Sequence, residues 1–506
     1  MKIIKTGTRQ WENKHETFIE SIKDMYVVGN ENAMSALEGY NDATKGFQSL
    51  IRNAIDTNTP LRTLGAGWSW MHIATATNGI MLDTKQLNTT LRVSSQGVSS
   101  DYTGDPNKLL FAQCGNGVWE LSRELRGRKL SLKASGASNG QTIAGVLATG
   151  AHGSAFDFGA VQEFVVGLHI IVGPDKHIFL ERRSAPVVSE SFIRNLDTEL
   201  IRDDDLFDAA LVSVGAFGII HGVLIETEDL YLLECYMRRM PYNDSLKRLM
   251  TTLDFTDSEL PFGSERPYHF AVSLNPYDMD GGAYVYSFYK RPYHEDYVRH
   301  VNPDPNGLGP GDDGPCFIGK IVHVLPDLVP MVVNKALAGA LKPYEKVFGT
   351  LGEIFNNTTL HGKLLSAAIG VSIEDVNRVA DMLLETNQEK GPFLGLFAFR
   401  FVKQTKATLG FTRFDHTCVF ELDGAFSSDT SNFFREVWKR LDEENISYTT
   451  HWGKVNELDF DKINKMYGSS NVDAWIEARN KLLDADTMKV FTNPLMKQWG
   501  LDKVLV

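Results

Sequence analysis

The sequence predicts an α+β fold in two parts, and three observations carry that prediction. Two glycine-rich stretches, residues 61–73 (LRTLGAGWSWMHI) and 138–155 (SNGQTIAGVLATGAHGSA), interrupt ordinary strand and helix patterns. Helices and short strands interleave around them as far as about residue 230. Beyond that point the chain changes to longer strands of alternating character, joined by hairpin signals and separated by amphipathic helices. With 506 residues, 43% of them hydrophobic and 23% charged, there is material for two or three globular cores. The expected division is 1–230, in two subdomains of about 1–95 and 96–230; then 231–469, built on a large antiparallel sheet; then 470–506, returning to the first part.

Taken in order, residues 42–55 form an amphipathic helix with Phe47, Leu50, Ile51, Ala54 and Ile55 on one face and Asn41 or Asp42 as its cap. Pro60 then leads into a short strand, Arg62 to Leu64, and the turn Gly65-Ala66-Gly67. This resembles a phosphate cradle of successive N–H groups. It is not a Walker loop, because no Gly-Lys-Ser/Thr follows, and Trp70 stands where a dinucleotide fingerprint needs its third glycine. Strands follow within 78–93 and at 109–116, then a helix at 117–127 with Val118, Leu121 and Leu125 inward. In the second stretch Gly140, Gly145, Gly150 and Gly153 sit among Ser138, Thr142, Thr149 and Ser154. Gln141 to Ala148 reads as one short helix, either presenting its N-terminus to an anion or packing closely on a sheet. Residues 161–173 are a strand, and 204–226 a helix, a Gly215/Gly218 turn and a strand.

In the second part, 268–276 and 283–291 alternate as antiparallel strands around a hairpin signal at 278–282. Residues 303–315 are a surface loop, and the helix 372–387 opens on Ser-Ile-Glu-Asp, a capping-box variant with Asp375 in the reciprocal place. Strands at 393–402 and 417–422 precede a helix at 431–444.

The net charge of −13 argues against nucleic acid or an anionic membrane as a partner. Cys114, Cys235, Cys316 and Cys418 form no CxxC pair and read as buried thiols. No signal-peptide core follows the N-terminus. The longest apolar stretch, 317–342, is broken by Lys320, His323, Asp327, Pro326 and Pro330, so a cytoplasmic protein without a membrane span is expected, its oligomeric state open.

Together the two glycine stretches resemble the FAD-binding domain of the vanillyl-alcohol-oxidase-type (PCMH-type) oxidoreductases, and more closely their aldonolactone/alditol oxidase branch. That branch carries a first loop like G-S-G-H-S-W and a second like Q-(S/T)-I-A-G…T-G-T-H-G-S-G. The matching residues are Gly65, Gly67, Ser69 and Trp70, then Gln141, Ile143, Ala144, Gly145, Thr149, Gly150, His152, Gly153 and Ser154. The resemblance implies a two-subdomain FAD-binding domain under an α+β cap, with FAD contacts on Gly65, Ala66, Gly67, Trp68, Ser69 and Trp70. Further contacts fall on Gly136, Ser138, Asn139, Gln141, Thr142, Gly145, Thr149, Gly150, His152 and Gly153, and on Gly218, Ile219 and Ile220, where the family has a G-A-x-G-I-I turn. Many relatives tether the flavin through a His at the position of Trp68; tryptophan cannot form that bond, and neither loop holds a Cys, so non-covalent FAD is expected.

The chemistry implied is oxidation of an alcohol by hydride transfer to the flavin. Arg400, a charge inside the apolar strand FLGLFAFRFV, shares a face with Leu396, Ala398 and Val402. It matches the Arg of the branch's Glu-x-Arg, but the Glu position is Ala398 here, so polyol or lactone as substrate is not implied, and Glu421 is a candidate replacement acid. His451-Trp452-Gly453-Lys454 matches a family H-W-G-K that lines the site and makes His451 and Lys454 active-site groups. His152 reads as a structural histidine beside the pocket, and the histidines at 269, 294, 300, 323 and 416 have no metal spacing. Gly136, seven residues before Ile143, matches a position where oxidases of the branch carry Gly and a related dehydrogenase carries Ala. An oxidase using O2 and releasing hydrogen peroxide is expected; a dehydrogenase with another acceptor and a silent flavin-binding protein are the alternatives. Aromatic residues of the cap such as Tyr284, Tyr286 and Phe399 suit a bulky or apolar substrate, or simply a core.

Overall fold

Two sheets underlie the first part of the chain in the computed structural model, which describes residues 1–31, 33–299, 308–312, 325–358 and 362–504. A four-stranded sheet runs Lys2–Lys5, Asp24–Gly29, Ile80–Gln86, Leu61–Leu64, its first pair antiparallel and the rest parallel. A six-stranded sheet runs Glu199–Arg202, His177–Glu181, Val165–Ile171, Ile219–Glu226, Leu109–Gln113, Thr90–Arg92. Most strands here are buried on both faces, which is why they read as apolar runs rather than alternations.

The expected helix at 42–55 is the C-terminal two-thirds of a longer one, Ala36–Asp56. Its cap is Ser35, not Asn41 or Asp42: Ser35 Oγ accepts from the Glu38 N–H, and Glu38 returns a bond to the Met34 N–H. Asn41 instead donates to the Asn195 carbonyl. The helix expected at Gln141 to Ala148 is Ile143–Thr149, capped by Thr142 and ended by Gly150 at φ 70°.

The cap is one eight-stranded sheet in the order Tyr344–Gly349, Tyr231–Met240, Ala283–Pro292, His269–Leu274, Gly395–Lys403, His416–Ala425, Leu364–Ser372, Tyr448–Thr450. All neighbours in it are antiparallel. The capping box expected at 372–375 does not form: Ser372 Oγ accepts from the Glu374 N–H, residues Ile373–Asp375 make a 3-10 turn, and Asp375 caps nothing with its side chain before the helix Val376–Lys390. Residues 303–307 and 313–315 of the expected loop, 317–324 of the apolar stretch, Cys316, His300 and His323 lie outside the described residues.

Four short helices close the chain, Phe460–Tyr467, Ser469–Leu482, Ala485–Phe491 and Pro494–Gln498. They bind back to the turns around the first glycine stretch and residue 215. Asn493 Nδ2 donates to the carbonyls of His72, Ile73 and Thr75. Arg62 donates to Phe491, Ile73, Val214 and Gly215 carbonyls, and Arg479 to that of Ala216. Cys114, Cys235 and Cys418 are buried free thiols. Among the described residues no helix is long and apolar enough to cross a membrane, and no His/Cys/Asp/Glu group could hold a metal.

Candidate active site

A long cleft runs between the two glycine stretches and the cap sheet. Its walls include Gly65 to Trp70, then Gly136, Ser138, Asn139, Gln141, Thr142, Gly145, Thr149 and His152, and from farther along Gly218, Ile220, Arg400, His451 and Lys454. Gly150, Gly153 and Ile219 are not on its walls. Gly150 ends the short helix, Gly153 lies against the Ser135 carbonyl, and Ile219 is a sheet residue paired with Ile171. Gly65 has to be glycine, because a Cβ there would come within 2.2 Å of Thr142 Oγ1, where the two stretches meet.

Hydrogen bonds tie these motifs to one another. Ser69 Oγ and the Trp70 N–H both donate to the Gly453 carbonyl, at 3.1 and 2.9 Å, joining the first glycine stretch to His451-Trp452-Gly453-Lys454. Ser154 Oγ accepts from the Phe401 N–H at 2.9 Å, and its carbonyl accepts from the Phe270 N–H at 3.2 Å. The end of the second stretch therefore pins the strand that carries Arg400. The short helix offers its N-terminus only in part: the Ile143 N–H is bonded to the Asn116 carbonyl and the Gly145 N–H to Thr142 Oγ1. Asn139 is likewise engaged, with the Phe355 carbonyl and Ser135.

At the cap end lies a buried charge cluster. Glu421 Oε2 is 3.0 Å from Arg400 Nε, and its Oε1 accepts from Lys454 Nζ at 3.0 Å. His152 Nε2 is 3.7 Å from the same Oε1. In the strand register Glu421 is directly opposite Ala398. Opposed residues of an antiparallel pair share a face with Cβ atoms about 5 Å apart. A carboxylate on the next strand, opposite position 398, thus reaches both cations with its two oxygens.

Burial alone would raise the Glu421 pKa, but Arg400, Lys454 and His152 hold it well below the usual carboxylate range. Burial lowers His152 to about 4 and puts His451 well below the ordinary histidine value, so both rings are neutral near pH 7. His451 Nδ1 accepts from the Gly453 N–H at 2.9 Å, which leaves the ring proton on Nε2. His152, expected as a structural residue, lines the cleft and faces Glu421.

Two cleft residues escape a reading of the sequence. His15, in a stretch that reads as polar, is buried, stacks on Trp70 at 3.6 Å and donates from Nε2 to the Trp68 carbonyl at 2.8 Å. Nothing in its surroundings in the sequence announces it. Arg62 was visible as a charge inside a short strand beside the first loop, but its buried carbonyl ligands were not.

The cleft fits FAD. It is long enough to reach from the glycine stretches to the cap, and Gln141 Oε1 and His15 Nδ1 are buried on its walls with no partner in the protein, as acceptors awaiting a ligand. Residues 43–179 match the family described as FAD binding domain. L-gulonolactone oxidase 3 of Arabidopsis thaliana is 24% identical over 82% of this chain and 73% of its own length. L-gulono-1,4-lactone dehydrogenase of Mycobacterium tuberculosis is 26% identical over 45% of this chain, and the match spans only 43% of that relative. Cholesterol oxidase of Brevibacterium sterolicum shares the fold, with a TM-score of 0.68 over 98% of this chain and 97% of its own at 15% identity. Fold, domain match and relatives agree: the chain carries an FAD-binding domain and is similar to the lactone oxidases and dehydrogenases among its relatives.

Proposed function

We propose that the protein oxidises a CH–OH group with non-covalently held FAD and passes the electrons to O2, releasing hydrogen peroxide. The observation that carries this reading is the Glu421-bridged pair Arg400 and Lys454 at the cap end of the FAD cleft. Bound FAD supplies the hydride acceptor. Arg400 and Lys454 hold the negative charge that builds on the substrate oxygen as its proton passes to solvent, in a largely buried site where such charge contacts are strong. Glu421 keeps the two cations beside each other and aimed. His451 offers its Nε2–H as a neutral donor on the same wall.

Relatives named as lactone oxidases and a lactone dehydrogenase make sugar-derived lactones and polyols the first compounds to try. We further propose that 1–230 and 470–506 form the FAD-binding unit and 231–469 the cap, and that the protein works in the cytoplasm. The experiment is anaerobic mixing of the yellow holoprotein with alcohols, lactones and sterols. Bleaching of the flavin by any class supports the reading and identifies the substrate. Bound FAD that none of them bleaches points to a silent flavin-binding protein instead.

A further inference from the structure

A second, much smaller cavity adjoins the FAD cleft and shares Ala137 and Arg400 with it. Its floor is the cap sheet. There Ala271 is paired with Arg400, and Ser273 with Ala398. These four side chains share a face. Strand order puts Glu421 on one side of Arg400 and the small residues Ala271 and Ser273 on the other. Ala398 continues the depression along Arg400's own strand. The walls are Leu308, Leu341, Leu396 and Phe355.

Some polar groups in this cavity have partners within the protein. Tyr286 is hydrogen-bonded to Ser273. Asp312 Oδ2 accepts from the Gly309 N–H at 2.6 Å. His269 stacks on Phe288 at 4.5 Å, and burial lowers its pKa to about 3. A polyol chain placed here would leave hydroxyls against leucine and phenylalanine without partners, at a cost that a hydrocarbon avoids. We propose that this cavity is a substrate subsite for an apolar substituent, aryl or compact hydrocarbon, carried beside the hydroxyl that is oxidised. The proposal rests on the CH–OH reading above and names the substrate class: an alcohol with one apolar arm, not a free polyol.

The test uses the holoprotein and a matched pair, 1-phenyl-1,2-ethanediol and glycerol, which differ by a phenyl group in place of a hydroxymethyl group. The phenyl diol should have the higher kcat/KM, by about tenfold or more. Ala398→Leu fills the subsite and should abolish that preference, chiefly through KM, while the FAD dissociation constant stays as it was. Acetophenone, which has no hydroxyl to oxidise, gives a readout independent of turnover. It should bind the oxidised holoprotein and lose about tenfold or more in affinity in Ala398→Leu. Ala271→Val serves in its place if that variant fails to load FAD. Equal kcat/KM for the two alcohols, or unchanged acetophenone binding in the filled variant, overturns the subsite. If no alcohol reduces the flavin but acetophenone binding is lost on filling, the subsite stands and the oxidation reading falls. If polyols reduce the flavin and acetophenone does not bind, the reverse holds.

Discussion

A carboxylate on a neighbouring strand keeps to the same face of the sheet, and Glu421, opposite Ala398, reaches Arg400 in that way. Arg400 and Lys454 were legible from their motifs; the acid was only a candidate, because choosing it needs the pairing register, which no local pattern records. Arg400→Ala or Lys454→Ala should slow flavin reduction on the order of 100-fold with FAD retained. Glu421→Gln should do so too, since a neutral amide leaves buried Arg400 and partly buried Lys454 without the carboxylate between them. The double variant Glu421→Gln/Ala398→Glu returns the charge across the strand pair and should recover much of the rate; no recovery in a folded, yellow double variant refutes the exchange. Gly136 permits a clean test of oxygen access. A Cβ there would meet only the His152 and Ser138 carbonyls, at 3.5 and 3.6 Å, an ordinary contact. Gly136→Ala should therefore load FAD normally and slow reoxidation of the photoreduced protein by air-saturated buffer. Reoxidation in the parent no faster than free flavin, and unchanged by the alanine, favours the dehydrogenase reading. Trp68 bears on attachment: acid precipitation should release the colour to the supernatant. Colour in the pellet would overturn non-covalent binding and direct attention to His15, whose Nδ1 lines the cleft without a partner.

At the scale of elements, the strands and helices that carry the glycine stretches were legible because their apolar periodicity and turn residues agree. Ser35 was missed as a cap because the polar run before it continues one turn into the helix, where Glu38 reaches back to the Met34 N–H. The box expected at 372–375 fails because Ser372 is used one residue early, by Glu374, and the chain tightens into a 3-10 turn. The return of the closing segment to the first part was expected, but not its helices or what holds them, since main-chain carbonyls of distant turns are their partners. Asn493 shows what they do. Its Oδ1 caps the last helix through the Met496 N–H, while Nδ2 holds three carbonyls beside the first glycine stretch. Asn493→Asp keeps the cap and loses the donor; Asn493→Ala loses both. The aspartate variant should melt below the parent and the alanine variant lower still, with the loss in the range of about 1–3 kcal/mol. Melting of Asn493→Asp at the parent temperature would show the three carbonyl contacts to be idle.

Across the whole molecule the buried histidines set the response to acid. Burial lowers His15, His221 and His269 to about 3 and His152 to about 4. His169 and His451 are likewise held well below the ordinary value. They are spread over both parts: His169 joins Tyr40 to His177, His221 lies between Thr44 and Gln113, and His152 and His451 line the cleft. In the unfolded chain each would titrate near about 6.5. As pH falls below that value the unfolded chain takes up protons that the folded one refuses, so stability is fully present above about 6.5 and is lost toward the folded values. Each such group costs up to about 1.4 kcal/mol per pH unit within that window. Glu421, with its depressed pKa, adds a loss of the same sign only below the ordinary carboxylate range, so between roughly pH 6.5 and 5 the histidines dominate. Melting temperature at saturating FAD should be level from pH 8 to 7 and fall steadily from about 6.5 to 5. His269→Phe, which can keep the stack on Phe288, should make that fall shallower. A melting temperature that stays level down to pH 5 would mean that the unfolded chain takes up no more protons than the folded one, and the same slope in His269→Phe would remove His269 from the account.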